Sequence, residues 1–91
     1  MVVSNDVNNQ YSSTISILPI TSSTKRIYPF EVFVLKGTGN LPKDSKIKAD
    51  QIRTIDTARI IKEIGNFPSH LMDEVAEAIG IHLDIVIKIR Q

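Results

Sequence analysis

The sequence predicts a mainly β domain with one C-terminal helix, an α+β class. Three observations carry that reading. Runs rich in β-branched and other apolar residues recur at 14–20, 30–35 and 46–56, separated by clusters of Ser, Asn, Gly and Pro. Only beyond Pro68 does the apolar period change to threes and fours, at Leu71, Met72, Val75, Ala78, Ile79 and Leu83. The 91 residues, 42% hydrophobic and 23% charged, have the composition of a globular chain and the length of one domain, read here as 1–91 with 84–91 unassigned.

Met1-Val2-Val3 opens as strand-like sequence. Residues 4–13 are rich in Asn and Ser and are expected to be a loop, with Asn5 and Asp6 as turn formers. Thr14 to Ile20 is expected to be one strand, Ile15 and Ile17 on one face, Leu18 and Ile20 on the other. Pro19 cannot donate to a ladder and marks an edge or bulge. Residues 21–26 form a polar loop ending in Lys25-Arg26. Phe30 to Leu35 is the next strand, with Val32 and Val34 sharing a face. Gly37 to Asn40 is a turn and lacks phosphate-loop spacing.

Lys46 to Asp56 is expected to be extended, with Ile47, Ala49 and Ile52 inward. Gln51 and Arg53 stand two apart, so on an extended backbone they share a face. An amide and a guanidinium there suit a base edge and a phosphate, and equally suit a solvated strand end. A turn at Thr57-Ala58 and a short last strand through Ile60, Ile61 and Ile64 follow, ending at Gly65. Ser69 is the expected N-cap of the helix, and Gly80 is a point where it weakens or stops. Ile85 to Gln91 is left open between a short strand and a tail that pairs only with a partner.

Composition excludes several classes. A net charge of +1 is not that of a strongly basic nucleic-acid binder, so any such contact must be local. Lys25, Arg26, Lys46, Lys48 and Arg53 form one patch if their strands are neighbours, and are otherwise ordinary surface charge. With no cysteine there is no thiolate chemistry, and a reducing, cytoplasmic setting fits. No apolar run approaches the roughly 18 residues that span a bilayer, and the start is unlike a signal peptide. His70 and His82 stand apart without metal-ligand spacing, so neither a metal nor another cofactor is expected.

Four blocks, in order, resemble the MazF/PemK family of toxins. They are Val2-Val3-Ser4-Asn5-Asp6 with Asn9, Ile17-Leu18-Pro19-Ile20-Thr21, Ser45 with the Gln51 to Asp56 run, and the helix bearing Met72, Glu74 and Val75. The resemblance implies a small, SH3-like, strongly bent β-barrel of the MazF/PemK/CcdB type, working as a homodimer. It implies metal-independent cleavage of single-stranded RNA, attack coming from the neighbouring 2′-hydroxyl, and control by a cognate antitoxin, with possible DNA binding by the toxin–antitoxin complex. By that resemblance Thr21 is catalytic and hydrogen-bonds the scissile phosphate. Asn5 and Gln51 line an RNA channel, and Arg53 lies near a dimer seam. The family also carries an Arg-Gly-Asp strand and a Gly-Gly-x-Arg-Pro loop whose arginine is its main catalytic group; neither motif occurs in the chain. The fold is therefore expected to miss its first strand, and the 91-residue chain to be inactive or nearly so. The alternative is a non-catalytic dimerisation or binding module that keeps the fold and binds antitoxin or nucleic acid.

Overall fold

In the computed structural model, residues 1–60 and 65–85 are described. The elements are α1 (Asp6–Tyr11), β1 (Thr14–Ile17), β2 (Ile20–Thr21), β3 (Glu31–Val34), β4 (Ser45–Lys48), β5 (Arg53–Asp56) and α2 (Ser69–Leu83). They make two small antiparallel sheets, β1–β5 and β2–β4–β3, which do not close into one hydrogen-bonded barrel among the described residues. The N-terminal residues extend the first sheet. Val3 N–H donates to the Ser16 carbonyl at 2.9 Å, and Leu18 N–H to the Met1 carbonyl at 2.8 Å.

The expected strand over 14–20 is divided. Leu18 is fully buried and its N–H is spent on Met1, while Pro19 has no N–H to offer either sheet. The Pro19 carbonyl instead accepts from Lys48 N–H at 3.0 Å, so the chain leaves β1 and joins β4 as β2. The expected strand over 46–56 is also divided. A 3-10 turn at Ala49–Gln51 separates β4 from β5, with Ala49 buried beneath it. Gln51 and Arg53 therefore do not share the face of one strand, and Ile52 is exposed rather than inward.

Residues 4–13 contain a helix where a loop was expected. Asn5 caps α1, its side-chain oxygen accepting from Asn8 N–H at 2.9 Å. The helix buries no residue. It is tied down by its amides instead: Asn8 donates to the Thr14 carbonyl and Asn9 to the Ser4 carbonyl. At α2 the N-cap is Pro68, whose carbonyl accepts from Leu71 N–H, and Ser69 is already helical. The helix continues through a buried Gly80. It stops where Asp84 turns left-handed and Ile85 N–H returns to the Gly80 carbonyl at 2.9 Å. Of the expected stripe, Leu71, Val75 and Ala78 are buried, whereas Met72 and Leu83 are exposed. The last strand expected over 60–64 falls mostly outside the described residues; Ile60 itself is not in a strand and is half-exposed. The question left open over 85–91 lies outside them beyond Ile85.

The core joins Leu18, Val32, Val34, Ile47 and Ala49 to Leu71, Val75 and Ala78, so α2 covers the inner face of the three-stranded sheet. The other face is polar where β3 meets β4. Glu31, with a side chain only 1% exposed, takes Lys46 Nζ at 3.0 Å and Lys48 Nζ at 2.9 Å on its two carboxylate oxygens. It also accepts from Tyr28 N–H at 3.0 Å. Burial alone would raise this carboxyl. The hydrogen bonds from Lys48, the Tyr28 N–H and Lys46 outweigh burial and hold it at about 2, below its ordinary 4.5.

A carboxyl depressed on folding stabilises the fold fully above its unfolded pKa and loses that contribution as pH falls toward its folded value. Acid unfolding is thus expected to steepen between about pH 4.5 and 2. Glu31→Gln should flatten that dependence and, at neutral pH, cost on the order of 3 kcal/mol by leaving the Lys46 and Lys48 ammonium groups without their counter-charge. Thermal unfolding followed by circular dichroism across pH checks both; an unchanged acid limb in Glu31→Gln contradicts the assignment. Leu18→Ala, which empties the fully buried site at the passage between sheets, is expected to cost roughly 3 kcal/mol at any pH.

Candidate functional site

Strand register decides which side chains share a surface. Thr21 and Phe33 both lie opposite Lys46, and Glu31 opposite Lys48. Cross-strand partners project to the same side of a sheet. Thr21, Lys46, Phe33, Glu31 and Lys48 therefore share the outer face, while Ile20, Ile47 and Val32 turn inward toward α2. The Thr21 hydroxyl oxygen accepts from Ser23 N–H at 3.2 Å. Its own hydrogen has no acceptor among the described residues and is free to donate to a ligand.

The connection after β2 folds back over this face. Lys46 Nζ donates to the Arg26 carbonyl at 2.8 Å, and Glu31 N–H to the Tyr28 carbonyl at 2.9 Å. Tyr28 and Phe30 stack with ring centres 5.3 Å apart and planes 4° from parallel. The Arg26 guanidinium carbon lies 5.3 Å from the Tyr28 ring centre, and Lys46 Nζ lies 5.9 Å from it. The Lys48 ammonium is held protonated above its usual range by its hydrogen bond to Glu31. The face thus combines a free hydroxyl hydrogen, a pair of fixed cations sharing one carboxylate, and an aromatic stack.

The four residues expected at the site occupy different elements. Thr21 ends β2 on this face. Asn5 is exposed at the start of α1, with its oxygen engaged as a cap. Gln51 is exposed at the end of the 3-10 turn. Arg53 opens β5, opposite Ile17 in the other sheet. No hydrogen bond joins any two of the four among the described residues. The expected basic patch is brought together in part: Lys46, Lys48 and Arg26 converge around Glu31 and Tyr28, while Arg53 belongs to the second sheet. Sequence reasoning missed Glu31, Tyr28 and Phe30. The available signal was Lys46 and Lys48 at strand spacing, two cations on one face that call for an acid in an adjoining strand.

His70 and His82 are both exposed on α2. Among the described residues, no group of three or more His, Cys, Asp or Glu is placed to hold a metal ion. No helix among them is long and apolar enough to cross a membrane.

Comparison with known proteins shows the family of the chain. The family model described as PemK-like, MazF-like toxin of type II toxin-antitoxin system matches residues 1–83. The Mycobacterium tuberculosis protein named Endoribonuclease MazF9 is 36% identical over 90 residues, covering 93% of this chain and 76% of that protein. Among solved structures, the Mycobacterium tuberculosis toxin MazF-mt6 superposes with a TM-score of 0.86 at 25% identity, covering 96% of this chain and 86% of that one. A MazE–MazF structure from Deinococcus radiodurans matches with a TM-score of 0.78 at 26% identity, over 93% of this chain and 80% of that one. The family match spans both sheets and α2, and on that extent the chain belongs to the PemK-like, MazF-like toxins of type II toxin–antitoxin systems.

Proposed function

We propose that the chain is the toxin of a type II toxin–antitoxin pair and cuts single-stranded RNA, within the cytoplasm, at a short sequence and without a metal. The observation that carries this reading is the Thr21 hydroxyl. It stands on the polar face with its hydrogen unspent, in the same cross-strand row as Lys46. In the reaction the ribose 2′-hydroxyl gives up its proton as its oxygen bonds to the adjacent phosphorus, the bond from phosphorus to the 5′-oxygen of the next nucleotide breaks, and that oxygen leaves with a proton. A 2′,3′-cyclic phosphate remains. Charge builds on the non-bridging oxygens, where a donated Thr21 O–H stabilises it more in the transition state than in the ground state. Unpaired RNA suits the site because its base edges are exposed.

Asn5, Gln51 and Arg53 are proposed to contact RNA away from the cut. The carboxamide nitrogen of Asn5, the exposed Gln51 amide and the exposed Arg53 guanidinium all present donors to solvent. The arginine adjoining the face of Thr21 is Arg26. A cognate antitoxin and a second copy of the chain are the proposed protein partners. Exposed Phe33, Leu35, Ile81 and Leu83, each 44% or more accessible, offer apolar surface for such contacts.

The test is cleavage of a long single-stranded RNA in EDTA by the purified chain at micromolar concentration, with the ends mapped. Sequence-specific cuts leaving a cyclic or 3′ phosphate are expected of the ribonuclease reading. Thr21→Ala should lower the rate by roughly 10²–10³-fold, the usual loss on deleting one transition-state donor, and Thr21→Ser should retain most of it. Cuts that persist in Thr21→Ala would remove the assigned role. A folded chain that binds RNA and leaves it intact would establish the non-catalytic alternative.

A further inference from the structure

The outer face carries more than a hydroxyl and cations. We propose that the Arg26–Tyr28–Phe30 stack is a platform on which one unpaired nucleobase docks, beside the phosphate held by Thr21. The inference rests on the ribonuclease reading above and adds a positioning site to it.

Three observations carry it. The stack is not core packing: neither ring belongs to the apolar cluster around Leu18 and Ile47, and Tyr28 stays 42% exposed. It is nevertheless fixed. The backbone of Tyr28 is bonded in both directions to Glu31, and the Arg26 carbonyl is bonded to Lys46 Nζ. Those two partners are themselves joined by the buried ion pair. A surface already ordered loses little freedom when a ligand settles on it.

The chemistry is that of a base-stacking site. Tyr28 stacks on Phe30, and the Arg26 guanidinium lies over the Tyr28 ring and also reaches its hydroxyl, Nη1 to Oη 3.4 Å. Aromatic rings and guanidinium planes are the surfaces on which unpaired bases stack. Residues 21–30 contain Lys25 and Arg26 and no Asp or Glu, so this segment itself offers a strand's phosphates positive charge, while Glu74 and Glu77 line the groove on the side of Pro29 and Phe33.

Position ties the platform to the reaction. Lys46 is the cross-strand partner of Thr21, and its ammonium lies 5.9 Å from the Tyr28 ring centre. One lysine thus stands opposite Thr21 in the ladder and ends at the stack. A nucleotide adjacent to the scissile phosphate would lay its base against the exposed Arg26–Tyr28 end of the stack, with its phosphate toward the exposed Lys25. An acidic peptide with an aromatic side chain meets some of the same features. The shared face with Thr21 favours RNA.

The probe is a short single-stranded 2′-O-methyl oligonucleotide, which lacks the attacking hydroxyl, carrying a single 2-aminopurine whose emission falls on stacking. Binding to the full chain is read by anisotropy and by that quench, across a series of salt concentrations. Tyr28→Ala is expected to weaken binding roughly tenfold or more and abolish the quench, leaving the salt slope unchanged. Tyr28→Phe should keep both. Lys25→Gln should reduce the salt slope by about 0.7, one phosphate contact on a single strand, and leave the quench in place. Because Glu31 bonds the Tyr28 backbone and not its ring, Tyr28→Ala keeps that anchor, and its unfolding curve verifies the fold.

Equal affinity in Tyr28→Ala and the parent chain overturns the platform while leaving the ribonuclease reading intact. So does tight binding by the parent chain with no quench at any probe position. If the parent chain binds no single-stranded oligonucleotide, the RNA reading falls and the platform falls with it. If Tyr28→Ala loses antitoxin binding while holding the oligonucleotide normally, the stack belongs to a protein ligand and the proposal is overturned.

Discussion

One buried carboxylate governs the polar half of this molecule. Glu31 is shut away from water and would not remain ionised there alone; the ammonium groups of Lys46 and Lys48 and the Tyr28 N–H make that possible. Its net value to stability is modest, because both lysines also lose hydration, and an apolar substitute of the same shape can do as well. Its structural value is register. Side chains alternate along a strand, so sliding β4 by one residue against β3 would send both lysines into the core and Ile47 into water. The ion pairs penalise that slip from the outer side, just as Ile47 and Val32 penalise it from the inner side. Because β2 pairs with β4, the same register sets which way Thr21 points.

A second constraint acts at Leu18-Pro19. A continuous strand from Thr14 to Thr21 would keep Thr21 in the sheet that contains β5. The proline interrupts the ladder, and Leu18 anchors the interruption in the core. Two residues later the chain is paired to β4 and shares its polar face. The division after Ala49 works likewise. Ala49 is buried at the end of β4, and a tight turn redirects the chain so that β5 returns along β1. Two short strands in two sheets replace each long one, and in this way a 91-residue chain wraps a core with a single long helix.

Much of this was legible beforehand. The positions of the apolar runs, the alternation of Val32 and Val34, and the threes-and-fours of Leu71, Val75 and Ala78 follow from burial, which periodicity reports directly. What escaped has physical reasons. α1 has no apolar face; capping and side-chain amide bonds hold it, and an Asn-rich segment offers those bonds equally to a turn. The break at 49–51 is imposed by tertiary packing of Ala49, so the inference that Gln51 and Arg53 share a face rested on an extended backbone that does not exist there. Thr21 came from resemblance alone, since an isolated threonine at a strand end has no periodic signature. Tyr28 and Phe30 sit in a connection without regular structure, where no period brings a pair of rings to notice.

The balance of charge explains why an aromatic surface matters to a face of this kind. The whole chain carries a net charge of only +1, and two of its lysines are committed to Glu31. Long-range attraction for a polyanion is therefore weak, and phosphate contacts alone would give binding that collapses with salt. Stacking is insensitive to ionic strength and worth about 1–3 kcal/mol per base. A fixed ring pair beside a free hydroxyl gives such a face an affinity that does not depend on net charge. It also orients the strand, since a base held over Tyr28 restricts which phosphate can reach Thr21. In a chain this small the two demands meet in the same residues: Lys46 and Glu31 complete the sheet, hold the connection that carries the rings, and hold it next to the strand end that carries the hydroxyl.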